Sequence, residues 1–197
     1  MIINLFSTPI ISEELNMDLN SLSDYALSAQ KFFPAGIQKS NLGGWHSNRL
    51  KEENIRNEEM KKLLELIINF MREYKEQLHI KRELEPRITS TWININRKGN
   101  ISRVHIHPDC HFSAVFYVKV ETAGNLGCLE LLHPSRDTID FCWQDIHEYD
   151  QTETLTALEI SPKPNDLYII PAWLPHSVLP HGNQDPRITI TINLAYI

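Results

Sequence analysis

The chain has 197 residues, with 25 acidic against 19 basic side chains and a formal net charge of −6. Its 42% hydrophobic and 22% charged residues are those of an ordinary globular domain and exclude a disordered chain, while the mild acidity argues against nucleic acid as a general partner. The three cysteines, Cys110, Cys128 and Cys142, form no CxxC pair, which excludes a zinc knuckle, a thioredoxin motif and a disulfide scaffold and fits a reducing compartment. The opening MIINLFSTPI lacks the basic region of a signal peptide, and no apolar stretch approaches the ~20 residues of a membrane span. A cytoplasmic protein without membrane contact is expected.

The first 85 residues read as helical. Over residues 21–33, Leu22, Tyr25, Ala26, Ala29 and Phe32 recur at helical spacing, with Ser21 and Asp24 as a capping box and Pro34 and Gly36 as the stop. SNLGGWHSNRL follows, a Gly-rich turn around Trp45 and His46, with His46 read as a surface or hydrogen-bonded side chain. Residues 57–78 carry the apolar stripe Met60, Leu63, Leu64, Ile67, Met71, Tyr74 and Leu78, the mark of a helix buttressing a sheet.

From Pro86 the texture changes to short segments rich in Ile, Val, Thr, Tyr and Phe between turn residues. Strands are expected at 88–96, 102–107, 113–120, 128–132, 155–160, 166–170 and 187–195. The last alternates cleanly, with Ile188, Ile190, Ile192 and Leu194 on one face and Arg187, Thr189, Thr191 and Asn193 on the other. Such spacing predicts a mainly β sandwich or barrel over residues 86–197, in a single domain over 1–197. Residues 134–153 read as a long polar loop, a candidate lid. Trp45, Trp143 and Trp173 either line a pocket or pack.

Three of the nine histidines, His105, His107 and His111, fall in VHIHPDCHF. Residues two apart on a strand share a face, so His105 and His107 point together, and paired neutral imidazoles suit Fe, Ni, Cu or Zn. A barrel can return the distal His176, in NDLYIIPAWLPHSV, to that pair, leaving open coordination positions. Arg187 opens the last strand. Its planar fork suits a carboxylate; the competing reading is a surface ion pair with Asp185.

The order Trp92, Asn94, Gly99, His105-x-His107-Pro108, Ser113 with Phe116, Tyr117 and Val118, then Pro171 to Val178 and Arg187 to Asn193 resembles the Fe(II)/2-oxoglutarate oxygenases related to prolyl hydroxylases. LFSTPI and GGWHS add to the likeness. The resemblance implies a double-stranded β-helix (jelly-roll) with Fe(II) at its open end and N-terminal buttressing helices. It implies iron on His105 and His176, with Arg187 on the distal carboxylate of 2-oxoglutarate and Tyr117 beside it. Asn94 would touch cosubstrate or substrate. The implied reaction is hydroxylation of an unidentified small molecule or peptide, with release of succinate and CO2. A homodimer is the default oligomer.

One position departs from the family pattern. The usual site is two histidines and one carboxylate, but His107 stands where the acid belongs. Two ligand sets stay open: His105, His107 and His176, or His107, Asp109 and His176. The first is preferred, because the resembling proteins keep H-x-H-P. Two other classes compete. A cupin would use Gly99, His105 and His107 without 2-oxoglutarate, although His111 replaces its glutamate and Trp173 its second-motif glycine. A non-catalytic jelly-roll would bind no metal. No nucleophile elbow, dinucleotide fingerprint or P-loop is present.

Overall fold

The computed structural model describes residues 7–121, 124, 126–143 and 156–197. Strand β1 (Ile11–Glu14) and helix α1 (Leu19–Phe32) lead into β2 (Asn41–Leu42), β3 (Trp45–His46) and helix α2 (Glu58–Glu73). Then come β4 (Pro86–Asn96), β5 (Ile101–His105), β6 (Phe112–Lys119), β7 (Leu129–Leu132) and helix α3 (Arg136–Trp143). β8 (Ala157–Ile160), β9 (Asp166–Pro171), β10 (His176–Val178) and β11 (Arg187–Tyr196) complete the chain.

The fold is the expected jelly-roll. A six-stranded sheet runs β1-β9-β6-β11-β4-β3 and a five-stranded sheet runs β2-β5-β10-β7-β8, with antiparallel pairing throughout the two. Strand β11 lies centrally in the larger sheet, between β4 and β6. Its Ile188, Ile190, Ile192 and Leu194 join Ile93 and Ile95 of β4 in one apolar cluster with Leu22 and Ala26 of α1 and Met60, Leu63, Ile67 and Met71 of α2. The helices thus cover the outer face of this sheet, and its inner face is turned to the smaller one.

The helix boundaries follow their caps. Asp18, not Ser21, caps α1: its carboxylate accepts the N–H groups of Asn20 and Ser21. Asn57 caps α2 by accepting the Met60 N–H at 2.9 Å. Helix α2 ends at Glu73, and Tyr74 and Leu78 continue the apolar stripe on a turn, half-buried against the same cluster.

The N-terminal segment is not purely helical. β1, β2 and β3 add strands to both sheets, and at two to four residues each is too short to show alternation in sequence. Part of the polar loop also differs from expectation, because Arg136–Trp143 is helical; residues 144–153 of it lie outside the described residues. Among the described residues no helix is long and apolar enough to cross a membrane.

Candidate metal centre

The site begins with a strand register. β5 and β10 are neighbours in the smaller sheet, and His176 pairs directly with His105. The next registered pair is Val178 with Ser102, so β5 has an extra residue there and the strand is bulged. His105 and Ser102 consequently both line the central cavity. β5 ends at His105, two residues before its expected end, and His107 is held beyond it by its own N–H, which donates to Ala172 O at 2.8 Å. The three imidazoles converge. Ring centroids of His105 and His176 are 4.3 Å apart, His107 lies parallel to His176 at 5.1 Å, and one ring nitrogen from each of the three lies within 4.8 Å of the others.

Backbone carbonyls orient two of the rings. His105 Nδ1 sits 2.7 Å from Arg103 O and His176 Nδ1 sits 2.9 Å from Leu174 O. A carbonyl only accepts, so each Nδ1 carries the proton and each Nε2 turns a lone pair to the centre, the arrangement that fixes metal-ligating histidines. His107 Nε2 and His176 Nε2 are 3.2 Å apart, a separation that calls for a proton or a cation between them. Burial first, then the neighbouring imidazoles, depresses His107 to about 3 and His176 to about 4. Burial also lowers His105. Near neutral pH the cluster is an uncharged three-nitrogen donor set, which suits Fe(II). Asp109 lines the cavity but does not belong to the converging group.

The cavity, about 820 Å³, lies between the sheets and is walled by β4, β6 and β11. The polar face of β11 forms one side: Arg187, Thr189, Thr191 and Asn193 all line it. Asn94 of β4 stands opposite Thr189 in register, and its amide nitrogen donates to Thr191 Oγ1 at 3.0 Å and Thr189 Oγ1 at 3.3 Å. Ser113 donates to Asn193 Oδ1 at 3.1 Å.

Arg187 is 3% exposed, and the ion-pair reading for it does not hold: Asp185 pairs with Lys119 at 2.8 Å instead. Its Nη1 donates to Gly127 O, while Nη2 is buried without a partner among the described residues. Gly127 is required there, at φ +66°, because a Cβ would stand 2.6 Å from Arg187 Nη1 and 2.7 Å from Leu179 O. Burial disfavours the charge, yet a guanidinium does not deprotonate in proteins, so this cation calls for an anion. Tyr117 is buried in the same cavity, edge-on to Tyr168 at 6.2 Å; burial raises its hydroxyl pKa and the Arg187 charge partly offsets that.

Sequence reasoning missed part of the wall. His46 is half-buried, stacks on Trp92 at 5.4 Å, and Trp92 stacks in turn on His107 at 5.8 Å. Ser40 Oγ lies 3.5 Å from His105 Nε2. The signal was GGWHS, which carried a family likeness but no chemistry of its own. Of the tryptophans singled out, Trp45 is core, its Nε1 donating to Phe33 O, and Trp173 is 53% exposed; the Trp143 side chain lies outside the described residues.

A donor set of neutral imidazoles in one cavity with a buried guanidinium that has no carboxylate partner among the described residues meets its counterpart in sequence. Residues 90–193 match the family model described as "Putative 2OG-Fe(II) oxygenase". The chain belongs to the 2OG-Fe(II) oxygenase family. The oxygenase reading therefore stands over the cupin one, and Fe(II) and 2-oxoglutarate are its cofactor and cosubstrate. The match covers both halves of the site, from Trp92 and Asn94 to the last strand. Solved structures agree on the fold. A prolyl-4-hydroxylase from Pseudomonas putida matches with a TM-score of 0.65 and 14% identity, over 97% of this chain and 94% of that one. A prolyl hydroxylase from Trichoplax adhaerens, in complex with a hypoxia inducible factor oxygen degradation domain peptide fragment, gives 0.65 and 14%, over 96% and 82%. HygX from Streptomyces hygroscopicus, with nickel and 2-oxoglutarate bound, gives 0.58 and 9%, over 95% and 79%. No curated protein matches the chain by sequence.

Proposed function

We propose that this 2-oxoglutarate oxygenase holds Fe(II) on an all-histidine site, His105, His107 and His176, and anchors the distal carboxylate of 2-oxoglutarate on Arg187. One observation carries the reading: three converging imidazoles share a cavity with a buried arginine whose Nη2 has no partner among the described residues. When bound, iron and 2-oxoglutarate supply oxidative decarboxylation, in which one atom of O2 ends in succinate, CO2 leaves and the other atom enters a substrate C–H bond.

The chain's own residues do the rest. Arg103 O and Leu174 O keep the proton on Nδ1 of His105 and His176, so Nε2 faces the metal. Trp92 holds the His107 ring from its far side. Arg187, fixed by Gly127 O, presents its free edge to a carboxylate, and Tyr117 offers a phenolic hydroxyl that burial keeps protonated. Asn94, oriented by Thr189 and Thr191, lines the space between and contacts cosubstrate or substrate. A third imidazole in place of a carboxylate leaves the centre one negative charge short, which favours an anionic cosubstrate and raises the reduction potential. The substrate is a small molecule or peptide, and the location cytoplasmic. Residues 1–197 act as one domain, since α1 and α2 share an apolar cluster with the larger sheet.

The test is an anaerobic titration of the Fe(II)-loaded protein with 2-oxoglutarate. A saturable visible charge-transfer band, absent in His176→Ala and retained in Asp109→Ala, is expected. Retention in His105→Ala with loss in Asp109→Ala would replace His105 by Asp109 in the ligand set. Tight iron binding without any 2-oxoglutarate binding would remove Arg187 from its role.

A further inference from the structure

Charge is distributed unevenly around the cavity. The chain carries a net charge of −6, yet among the described residues the charged side chains lining this space are Lys39, Arg49, Arg187 and one acid, Asp109. Arg187 is taken by the cosubstrate. Neither Lys39 nor Arg49 has a carboxylate partner within 4.0 Å among the described residues.

Both residues are exposed but stand on pinned backbone. Lys39 N–H donates to Asn41 Oδ1 at 2.7 Å, and Asn41 Nδ2 donates to Gly44 O at 2.6 Å. Ile37 N–H reaches His46 O at 2.9 Å, and Arg103 N–H reaches Ser40 O at 3.0 Å, tying this loop to β5 beside His105. Arg49 lies on a segment laid along β4: Ser47 N–H donates to Ile93 O at 2.9 Å and Leu50 N–H to Thr91 O at 2.7 Å. Burial first, and then the nearby charge of Lys39, disfavours protonation of His46 in the aromatic wall. Two cations without a carboxylate partner among the described residues, on fixed backbone at the rim of a metal cavity, make an anion site in which the side-chain rotamers, not the backbone, remain to be ordered on binding.

We propose that the substrate is an anion, its carboxylate or phosphate held by Lys39 and Arg49 at the cavity rim while its reacting carbon reaches the imidazole cluster. This rests on the oxygenase reading and adds the substrate class to it. Lys39 and Arg49 determine specificity and leave cosubstrate binding untouched.

The experiment is calorimetry on the Zn(II)-loaded protein, with and without saturating 2-oxoglutarate, titrated with phenyl phosphate, phenylacetate and the neutral benzyl alcohol. Anion binding is expected in both conditions, weakened tenfold or more by added salt and by Lys39→Gln/Arg49→Gln. The preferred anion distinguishes a phosphate from a carboxylate substrate. Lys39→Glu provides a second variant, and both substitutions are at exposed positions, so a thermal melt verifies that each folds. Equal affinity for benzyl alcohol, or unchanged anion affinity in the double variant, overturns the proposal. Loss of 2-oxoglutarate affinity in the double variant also overturns it, by assigning the cations to the cosubstrate. Anion binding that persists while 2-oxoglutarate fails to bind the parent protein would count against the oxygenase reading alone.

Discussion

Strand β11 buries both of its faces, for opposite reasons. Ile188, Ile190, Ile192 and Leu194 are 0% exposed against the helices, and Arg187, Thr189, Thr191 and Asn193 are 3–9% exposed toward the cavity. Burial alone therefore does not separate core from site. The isoleucines are satisfied by contact, which is non-directional. The polar row needs partners, and the barrel supplies them unevenly: Asn94 serves the threonines and Ser113 serves Asn193, but Arg187 is left with Nη2 unmatched among the described residues.

The contrast between the faces is open to direct attack. On the apolar face, Ile190→Ala should cost about 2–5 kcal/mol in urea unfolding while metal affinity stays within about twofold. A large loss of metal affinity at unchanged stability would mean the faces are not separable. On the polar face, Arg187→Leu should reverse the pattern. Losing a buried charge contact is worth about 2–5 kcal/mol of 2-oxoglutarate binding, roughly 30-fold or more, whereas removing a buried cation without a counter-ion leaves the ligand-free fold as stable or more so. If Arg187→Leu unfolds the protein, its guanidinium is structural.

The imidazole cluster gives a pH signature that the apolar face cannot. Its histidines stay neutral in the fold down to about 4 for His176 and about 3 for His107, whereas in the unfolded chain they take up protons below about 6.5. The unfolded state then binds more protons, so the metal-free fold loses stability as pH falls from about 6.5 toward 4, by up to about 1.4 kcal/mol per pH unit for each histidine. His107→Phe should flatten that slope, and chemical denaturation at a series of pH values reads it. The smallest effect belongs to the middle of the polar row. Thr189→Val removes a 3.3 Å bond from Asn94 but leaves Thr191, and should change stability by about 1 kcal/mol or less.

Much of this was legible in the chain. The period-2 alternation of 187–195 assigned both faces of β11 correctly, and the stripe from Met60 to Met71 found the helix that covers one of them, because both signals are local and repeat. The H-x-H pair and the arginine were visible as residue types suited to metal and carboxylate. Four-residue β7 and β8 were found between their turn residues, but β1, β2, β3 and β10, of two to four residues, were not visible, since alternation needs length, and three of them built the N-terminal additions to the sheets. The stack of His46 on Trp92 was not legible: Trp92 counted only toward the family likeness and His46 was read as a surface or hydrogen-bonded side chain, because the contact exists only once β3 lies on β4.

Sequence by itself determined the elements that depend on near neighbours, the helical stripe and alternating strands, and it named the donor types, imidazole and guanidinium. Which donors meet was decided by tertiary structure alone. His176 reaches His105 through one register between β10 and β5, across 71 residues of chain, and a bulge keeps both Ser102 and His105 on the cavity side. Arg187 became a buried charge rather than a surface ion pair because β11 runs through the centre of the larger sheet and Lys119 took Asp185. Pairing and desolvation are long-range properties of the closed barrel, and no local pattern encodes them.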